Sequence, residues 1–321
     1  MGAGEYLFAW RARALKPCHR PLKSKPVIKR IRFAGLDAIE LRTSALRVVA
    51  LTAKGPRLAF WGRPGGDNLL LWQPGKYLRG DWELMGGHRL WAARPGADEA
   101  EETYAADNQP CTVKISARGF TVTGALDPAQ KTRRGLTVTA TAGGRLTLDH
   151  FLRNESDMLW SGGLWALTCT VPPARSTYTV PLGDGSSWDY ATIVSFRTWG
   201  GGHGGVGFGD QQFKFTADAM ELRPSGRENK RMLKADAGII AWHNPAQKLL
   251  FAKHTPYDPA GHYPLGTNLA LYIGPKNFMV EMETMGPAAT LKPGQTLKHR
   301  ETWLLATASS APSAMSLRNL F

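Results

Sequence analysis

From Val27 onward the chain alternates apolar and polar residues with a period of two. AIELRTSALRVVALT, TVKISARGFTVTGAL and GLTVTATAGGRLTLDHFLRN do so most clearly, and STYTVPL, KLLFAKHT and NLALYIG are shorter β-rich runs. Alternation puts every second side chain on one face of a sheet, so each run predicts a strand. Gly, Pro, Asn and Asp punctuate the runs, and Gly143-Gly144 between two of them predicts a hairpin turn. Helical periodicity longer than two turns is absent, and 35 glycines and 21 prolines suit many short connections. More than about ten strands are too many for one small barrel. They predict an all-β fold of two large antiparallel sheets, packed as a sandwich in one domain of about 280 residues. That domain is expected over residues 30–308, with 1–29 a flexible basic extension and 309–321 a tail.

One stretch, NFMVEMETMGPAATLKPGQTLKHRETWLL from Asn277 to Leu305, stands out within the pattern. Its first strand carries Glu281 and Glu283 on one face, two residues apart. After a Gly-Pro turn, a second alternating strand carries Lys298, Arg300 and Thr302. A carboxylate on an inner sheet face is costly unless something polar meets it. Either these two sit in a wet pocket, or Lys298 or Arg300 pairs with them and the arrangement is structural.

Composition narrows the class without naming a function. At 321 residues, 43% hydrophobic and 21% charged, the chain has ample core for a globule. No run approaches the roughly 18 apolar residues of a membrane span, so no membrane partner is expected. The net charge of +14 is concentrated in residues 11–32, which are rich in Lys and Arg and contain no acid. That segment lacks the apolar core of a secretory signal. Pro17, Pro21 and Pro26 break the long amphipathic helix of a transit peptide, which leaves a floppy extension as the favoured reading. No basic–aromatic platform accompanies it in the body, so nucleic-acid binding is not expected. Cys18, Cys111 and Cys169 lack CxxC spacing, which argues against a disulfide scaffold and a zinc site and fits a reducing cytoplasm.

The loops hold the candidate chemistry. WELMGGHRLW (82–91) sets His88, Arg89 and Trp91 after a Gly-Gly pair, and WGGGHGGVGFG (199–209) carries His203. The second lacks the strand–helix unit of a phosphate loop and reads as a mobile loop over a cleft. The chain has 11 Trp, more than a core of this size requires. Tryptophan rings stack on the C–H faces of sugars while Arg, His, Asn and carboxylates bind hydroxyls, a combination that suits carbohydrate. Arg89 can fork onto vicinal hydroxyls or a carboxylate. Convergence of Arg89 with Lys230 or Lys234 would favour a sugar acid; the structural alternative is ion pairing with Glu281, Glu283 or Glu301. Asn268 either orients a carboxylate or caps the turn after Gly266. Asp107 and Asn108 supply too few oxygens for calcium, so no metal is expected, and no cofactor.

The segments GPRLAFWG (55–62), GGHRLW (86–91), DNQP (107–110), RNESDMLWSGGLWALT (153–168), HYPLGTNLALY (262–272) and VEMETMGP…LKPGQTLKHRETW (280–303) occur in that order. Together they resemble a family of the galactose mutarotase-like (aldose 1-epimerase-like) superfamily. The resemblance implies a β-supersandwich with a sugar cleft on one sheet. In mutarotases a glutamate takes the proton from the anomeric hydroxyl and a histidine protonates the ring oxygen. Glu283, followed by Thr284, matches that glutamate. Trp165 stands where the acid histidine is expected, and an indole cannot donate such a proton. The acid would then be another histidine: His88, with His203 and His262 as alternatives. Arg57 resembles a largely structural strand-start arginine and is a possible ligand. The expected site is therefore Glu283 and His88 as catalytic pair, with Arg89, Trp91, Trp165, His203, Asn268 and Arg57 around a small sugar or sugar acid. The protein is expected as a monomer or weak homodimer. The rival is a non-catalytic carbohydrate-binding module; a polysaccharide lyase fits less well, lacking room for its usual helical partner domain.

Overall fold

The computed structural model describes residues 25–76, 78–79, 82–93, 105–183, 190–196 and 207–321. Residues 1–24, most of the expected basic extension, and the His203 loop up to residue 206 lie outside them.

Two large antiparallel sheets of 11 and 10 strands face each other. The larger runs in the order Val27–Phe33, Leu36–Arg42, Arg47–Leu51, Arg57–Gly62, His88–Ala93, Trp160–Thr170, Val280–Met285, Leu269–Ile273, Asn229–Lys234 and Thr192–Ser195, with Ala289–Leu291 beside the Trp160 strand. The smaller runs Phe213–Phe215, Ala219–Leu222, Thr177–Pro181, Ile239–Asn244, Leu249–His254, Thr296–Thr307, Arg145–Asn154, Thr132–Thr141, Gly119–Leu126 and Thr112–Ile115. The core lies between them. Leu41, Val48, Leu58 and Trp61 from the larger sheet meet Phe120, Val138, Leu148, Phe251 and Trp303 from the smaller. Trp61 and Trp303 meet edge to face, with ring centroids 5.4 Å apart, the arrangement aromatic pairs favour.

Alternation decides which side chains enter this layer. On Thr296–Thr307, His299, Glu301 and Trp303 are buried between the sheets, whereas Lys298 and Arg300 point outward. Arg300 pairs with Asp149 at 2.6 Å on the surface. This strand belongs to the smaller sheet and the Glu281–Glu283 strand to the larger. Lys298 and Arg300 are therefore not the partners of those carboxylates, contrary to one reading of the sequence.

At the chain ends, residues 27–29 already pair with the Leu36–Arg42 strand. Within 309–321, Ala314–Arg318 is helical, its first turn capped by Ser313 accepting from the Ser316 backbone N–H. Leu317 and Leu320 pack on Ile239, Ala241 and Leu250. Among the described residues no helix is long and apolar enough to cross a membrane.

Candidate functional site

Five neighbouring strands of the larger sheet build the site, and their register fixes its membership. Leu167 lies between Arg89 on one side and Glu283 on the other. Trp165 lies between Trp91 and Met285, and Cys169 opposes Glu281. Glu281 in turn opposes Tyr272, which opposes Lys230. Directly opposed residues share a face, so Arg89, Trp91, Trp165, Cys169, Glu281, Glu283, Tyr272 and Lys230 all project from the side away from the smaller sheet. Of the residues expected around one site, Arg89, Trp91, Trp165 and Glu283 share this face.

Glu283 is fully buried, and its Oε2 atom takes two partners. Lys230 Nζ lies 2.9 Å away and Trp165 Nε1 donates at 2.8 Å. Its Oε1 has no hydrogen-bond partner among the described residues. The Lys230 ammonium also sits 4.6 Å from the Trp165 ring centre. Glu281 accepts from the Cys169 thiol at 3.3 Å and lies 3.8 Å from Arg89. Burial, reinforced by the charge of Glu283, pushes the Glu281 carboxyl up to about 7. Arg89 stacks over Trp91 at 4.3 Å and pairs with Asp107 at 3.8 Å, and Trp91 Nε1 donates to the same aspartate. Arg89 and Lys230 converge, as a sugar-acid site would require, but each faces a carboxylate of the protein.

His88 is the largest correction. It neighbours Arg89 in sequence and so projects from the opposite face, into the layer between the sheets. Its Nδ1 meets Thr168 Oγ1 at 2.8 Å and its Nε2 meets His150 Nε2 at 2.7 Å. His88 and Glu283 thus lie on opposite sides of one sheet and cannot act on one sugar. Asn268 is also consumed: its amide oxygen accepts from Ala235 N–H at 2.8 Å and its amide nitrogen donates to Ala235 O at 2.9 Å. It clamps backbone rather than lining the site. Arg57, fully buried and lowered to about 10 by that burial, donates to the Leu84 and Gly86 carbonyls and holds the turn before His88. His262 is exposed, and His203 lies outside the described residues.

Gly86 and Gly87 make that turn possible. Gly87 has φ +79°, and a Cβ there would lie 2.3 Å from Leu58 O. Gly87→Ala is expected to destabilise the fold by about 1–3 kcal/mol, because a left-handed backbone and a backbone clash coincide. A thermal melt checks this, and an unchanged Tm would contradict it.

Beneath the site, between the sheets, lies a closed polar network that sequence reading missed. Lys253 Nζ reaches Glu301 at 2.8 Å, Thr168 Oγ1 at 2.7 Å and Met282 O at 2.9 Å. Trp303 Nε1 and Thr284 Oγ1 donate to the two oxygens of Glu301. The histidine tautomers follow by elimination. His150 Nδ1 faces the His299 carbonyl, which can only accept, so that nitrogen carries the proton. Neutral His150 then accepts at Nε2 from His88 Nε2–H, and His88 Nδ1 accepts from Thr168. His88, His150 and Glu301 present ligand atoms within 4.8 Å of one another. The Lys253 ammonium already supplies the positive charge there, and the ring nitrogens are engaged, so this donor set does not suit a metal ion.

The network sets a pH dependence. Burial lowers all three histidines, His299 to about 3. They are neutral when folded and take up protons in the unfolded chain below about pH 6.5, so stability falls as pH drops through that value. Burial opposes the Glu301 charge, yet the Lys253 ammonium at 2.8 Å holds its carboxyl well below the usual range, which adds to the acid loss. Glu281 runs the other way between its ordinary 4.5 and about 7, because it holds a proton in the fold that the unfolded chain releases. Three histidines outweigh one glutamate. Urea unfolding is expected to show lower stability at pH 5 than at pH 7, and a steeper loss below about 4.5 where the Glu281 offset ends. Equal stability at pH 7 and pH 4 would contradict this.

No family model and no curated protein matches the sequence. Solved structures do match. A galactose mutarotase-like protein from Lactobacillus casei has a TM-score of 0.57 at 12% identity, over 84% of this chain and 100% of its own. A candidate aldose 1-epimerase from Escherichia coli has a TM-score of 0.56 at 11% identity, over 88% of this chain and 99% of its own. A galactose mutarotase-like protein from Clostridium acetobutylicum has a TM-score of 0.55 at 10% identity, over 88% and 99%. At such identities the likeness speaks for the fold alone, and the fold of this chain is the galactose mutarotase-like β-sandwich.

Proposed function

We propose that the outer face of the larger sheet binds the pyranose ring of a sugar and that Glu283 acts there as base on the anomeric hydroxyl. One observation carries this reading: Glu283 is anchored through one carboxylate oxygen while the other, equally buried, lacks a donor among the described residues. A buried polar atom without a partner among the described residues calls for one, and an incoming ligand group can serve. A sugar hydroxyl is such a donor. Lys230 and Trp165 hold one carboxyl oxygen and fix the orientation of the other, as a base requires. Trp91, Trp165 and Tyr272 supply ring faces and edges nearby. The galactose mutarotase-like fold, shared with a candidate aldose 1-epimerase, supports a sugar as ligand.

A neutral sugar fits the charges better than a uronate. Arg89 faces Glu281 and Asp107, Lys230 faces Glu283, and Arg134 faces Asp107 and Asp127. Among the described residues, Arg89, Lys230 and Arg134 thus already have carboxylate partners of the protein, which a sugar carboxylate would have to compete with. The second reading is binding without turnover, since the acid expected at His88 is on the wrong side of the sheet. Saturation-transfer NMR with a panel of neutral aldoses and uronates tests the site. Transfer to neutral aldoses that is lost in Trp165→Ala supports it. No transfer to any sugar, or transfer equal in Trp165→Ala, rejects it.

A further inference from the structure

We propose that Glu281 is the acid of this site, donating the proton to the ring oxygen while Glu283 takes the one on the anomeric hydroxyl. This rests on the epimerase reading above and supplies the partner which that reading lacks.

Geometry comes first. Glu281 and Glu283 are two residues apart on one strand and share its outer face, which separates their Cα atoms by about 6.7 Å. A pyranose carries its hydroxyl and ring oxygens on the same anomeric carbon. Side by side on one face, the two carboxyls approach those atoms from the same side of the ring, each needing about 2.6–3.2 Å to its own oxygen.

The surroundings then divide the roles. Glu283 meets an ammonium at 2.9 Å and an indole N–H at 2.8 Å, both of which stabilise its charge. Glu281 meets the weak Cys169 thiol donor at 3.3 Å, and its nearest cation, Arg89, lies 3.8 Å away and is shared with Asp107. The other titratable neighbours across the adjacent strands are Tyr272 and Lys230. Burial and the negative charge of Glu283 favour the protonated form of Glu281 near neutrality. Two carboxyls in unlike surroundings, one against an ammonium and an indole N–H and the other against a weak thiol donor, are an arrangement acid–base catalysis uses.

The step balances without a further reactant. Glu283 Oε1 accepts the proton of the anomeric hydroxyl and the C1=O bond forms. The C1–O5 bond breaks, its electron pair stays on the ring oxygen, and Glu281 protonates that oxygen. Rotation about C1–C2 turns the aldehyde. Closure by the reverse transfers gives the other anomer and restores both carboxyls.

The test is anomer exchange by NMR across pH 5–9, with sugar binding followed by saturation transfer. Wild type is expected to lose kcat/KM as pH rises through about 7, because the acid then ionises. Glu281→Gln is expected to lower exchange by about 10²–10⁴-fold while still binding sugar. Cys169→Ala removes a hydrogen bond to the ionised form of Glu281, so the alkaline limb is expected to move to higher pH. It also serves where Glu281→Gln does not fold. A wild-type rate equal to that of buffer rejects the epimerase reading together with this one. Activity in Glu281→Gln within about threefold of wild type, or an alkaline limb unmoved in Cys169→Ala, overturns the assignment of Glu281 alone.

Discussion

Lys253→Met is expected to lower folding stability by about 3–5 kcal/mol, the cost of leaving one member of a buried ion pair without its partner. The side chains are similar in length, so packing changes little. The loss is electrostatic. Lys253 and Glu301 are both fully buried at 2.8 Å, and Lys253 uses its other donors on Thr168 and the Met282 carbonyl. Removing the ammonium exposes the Glu301 charge to the interior and orphans both acceptors. Because globular domains are stable by only about 5–15 kcal/mol in total, this is a large fraction. The double variant Lys253→Met with Glu301→Gln removes both charges and is expected to recover most of the loss. Urea unfolding measures both. A single variant within about 1 kcal/mol of wild type would show that the network contributes little.

Glu283→Gln is expected to abolish anomer exchange, a fall of about 10²–10⁴-fold, with sugar still bound. The amide preserves the shape and can keep the Trp165 hydrogen bond, but it cannot accept a proton from the sugar. It also leaves the Lys230 charge buried without a carboxylate at 2.9 Å, so some stability is lost as well. Pairing Glu283→Gln with Lys230→Met removes that complication. Exchange that stays absent in a stably folded double variant assigns the loss to chemistry. Exchange near the wild-type rate in Glu283→Gln would remove this residue from the mechanism.

The two-sheet fold was legible because the signal for it is local. Alternation in GLTVTATAGGRLTLDHFLRN becomes the Thr132–Thr141 and Arg145–Asn154 hairpin, turning at the Gly-Gly pair. The faces were harder to read. His88 and Arg89 are both buried and both polar, so hydropathy cannot say which enters the inter-sheet layer and which the outer site. A shift of one residue exchanges the two faces. That is why His88 was expected beside Glu283. Asn268 was misread for a different reason, since its partner Ala235 is remote in sequence and both contacts are backbone. Lys230 was named with ion pairing to Glu281, Glu283 or Glu301 as the structural alternative, but only pairing through Tyr272 to the Glu283 strand selects its carboxylate. The Lys253–Glu301 network had a partial signal. His299, Glu301 and Trp303 alternate with Arg300 and Thr302 in HRETW, placing a glutamate on the same side of its strand as Trp303. Glu281 had the same signal as Glu283, two positions away.

The measurement that bears most directly on the central claim is two-dimensional exchange NMR on a panel of neutral aldoses, with and without the wild-type protein at pH 6.5. Cross-peaks between the two anomeric protons should grow with protein concentration for at least one sugar, and should fall to the buffer level in the Glu283→Gln/Lys230→Met variant. Rates equal to buffer for every aldose, with the protein folded, would contradict a catalytic role for this face and leave sugar binding to be judged by saturation transfer alone.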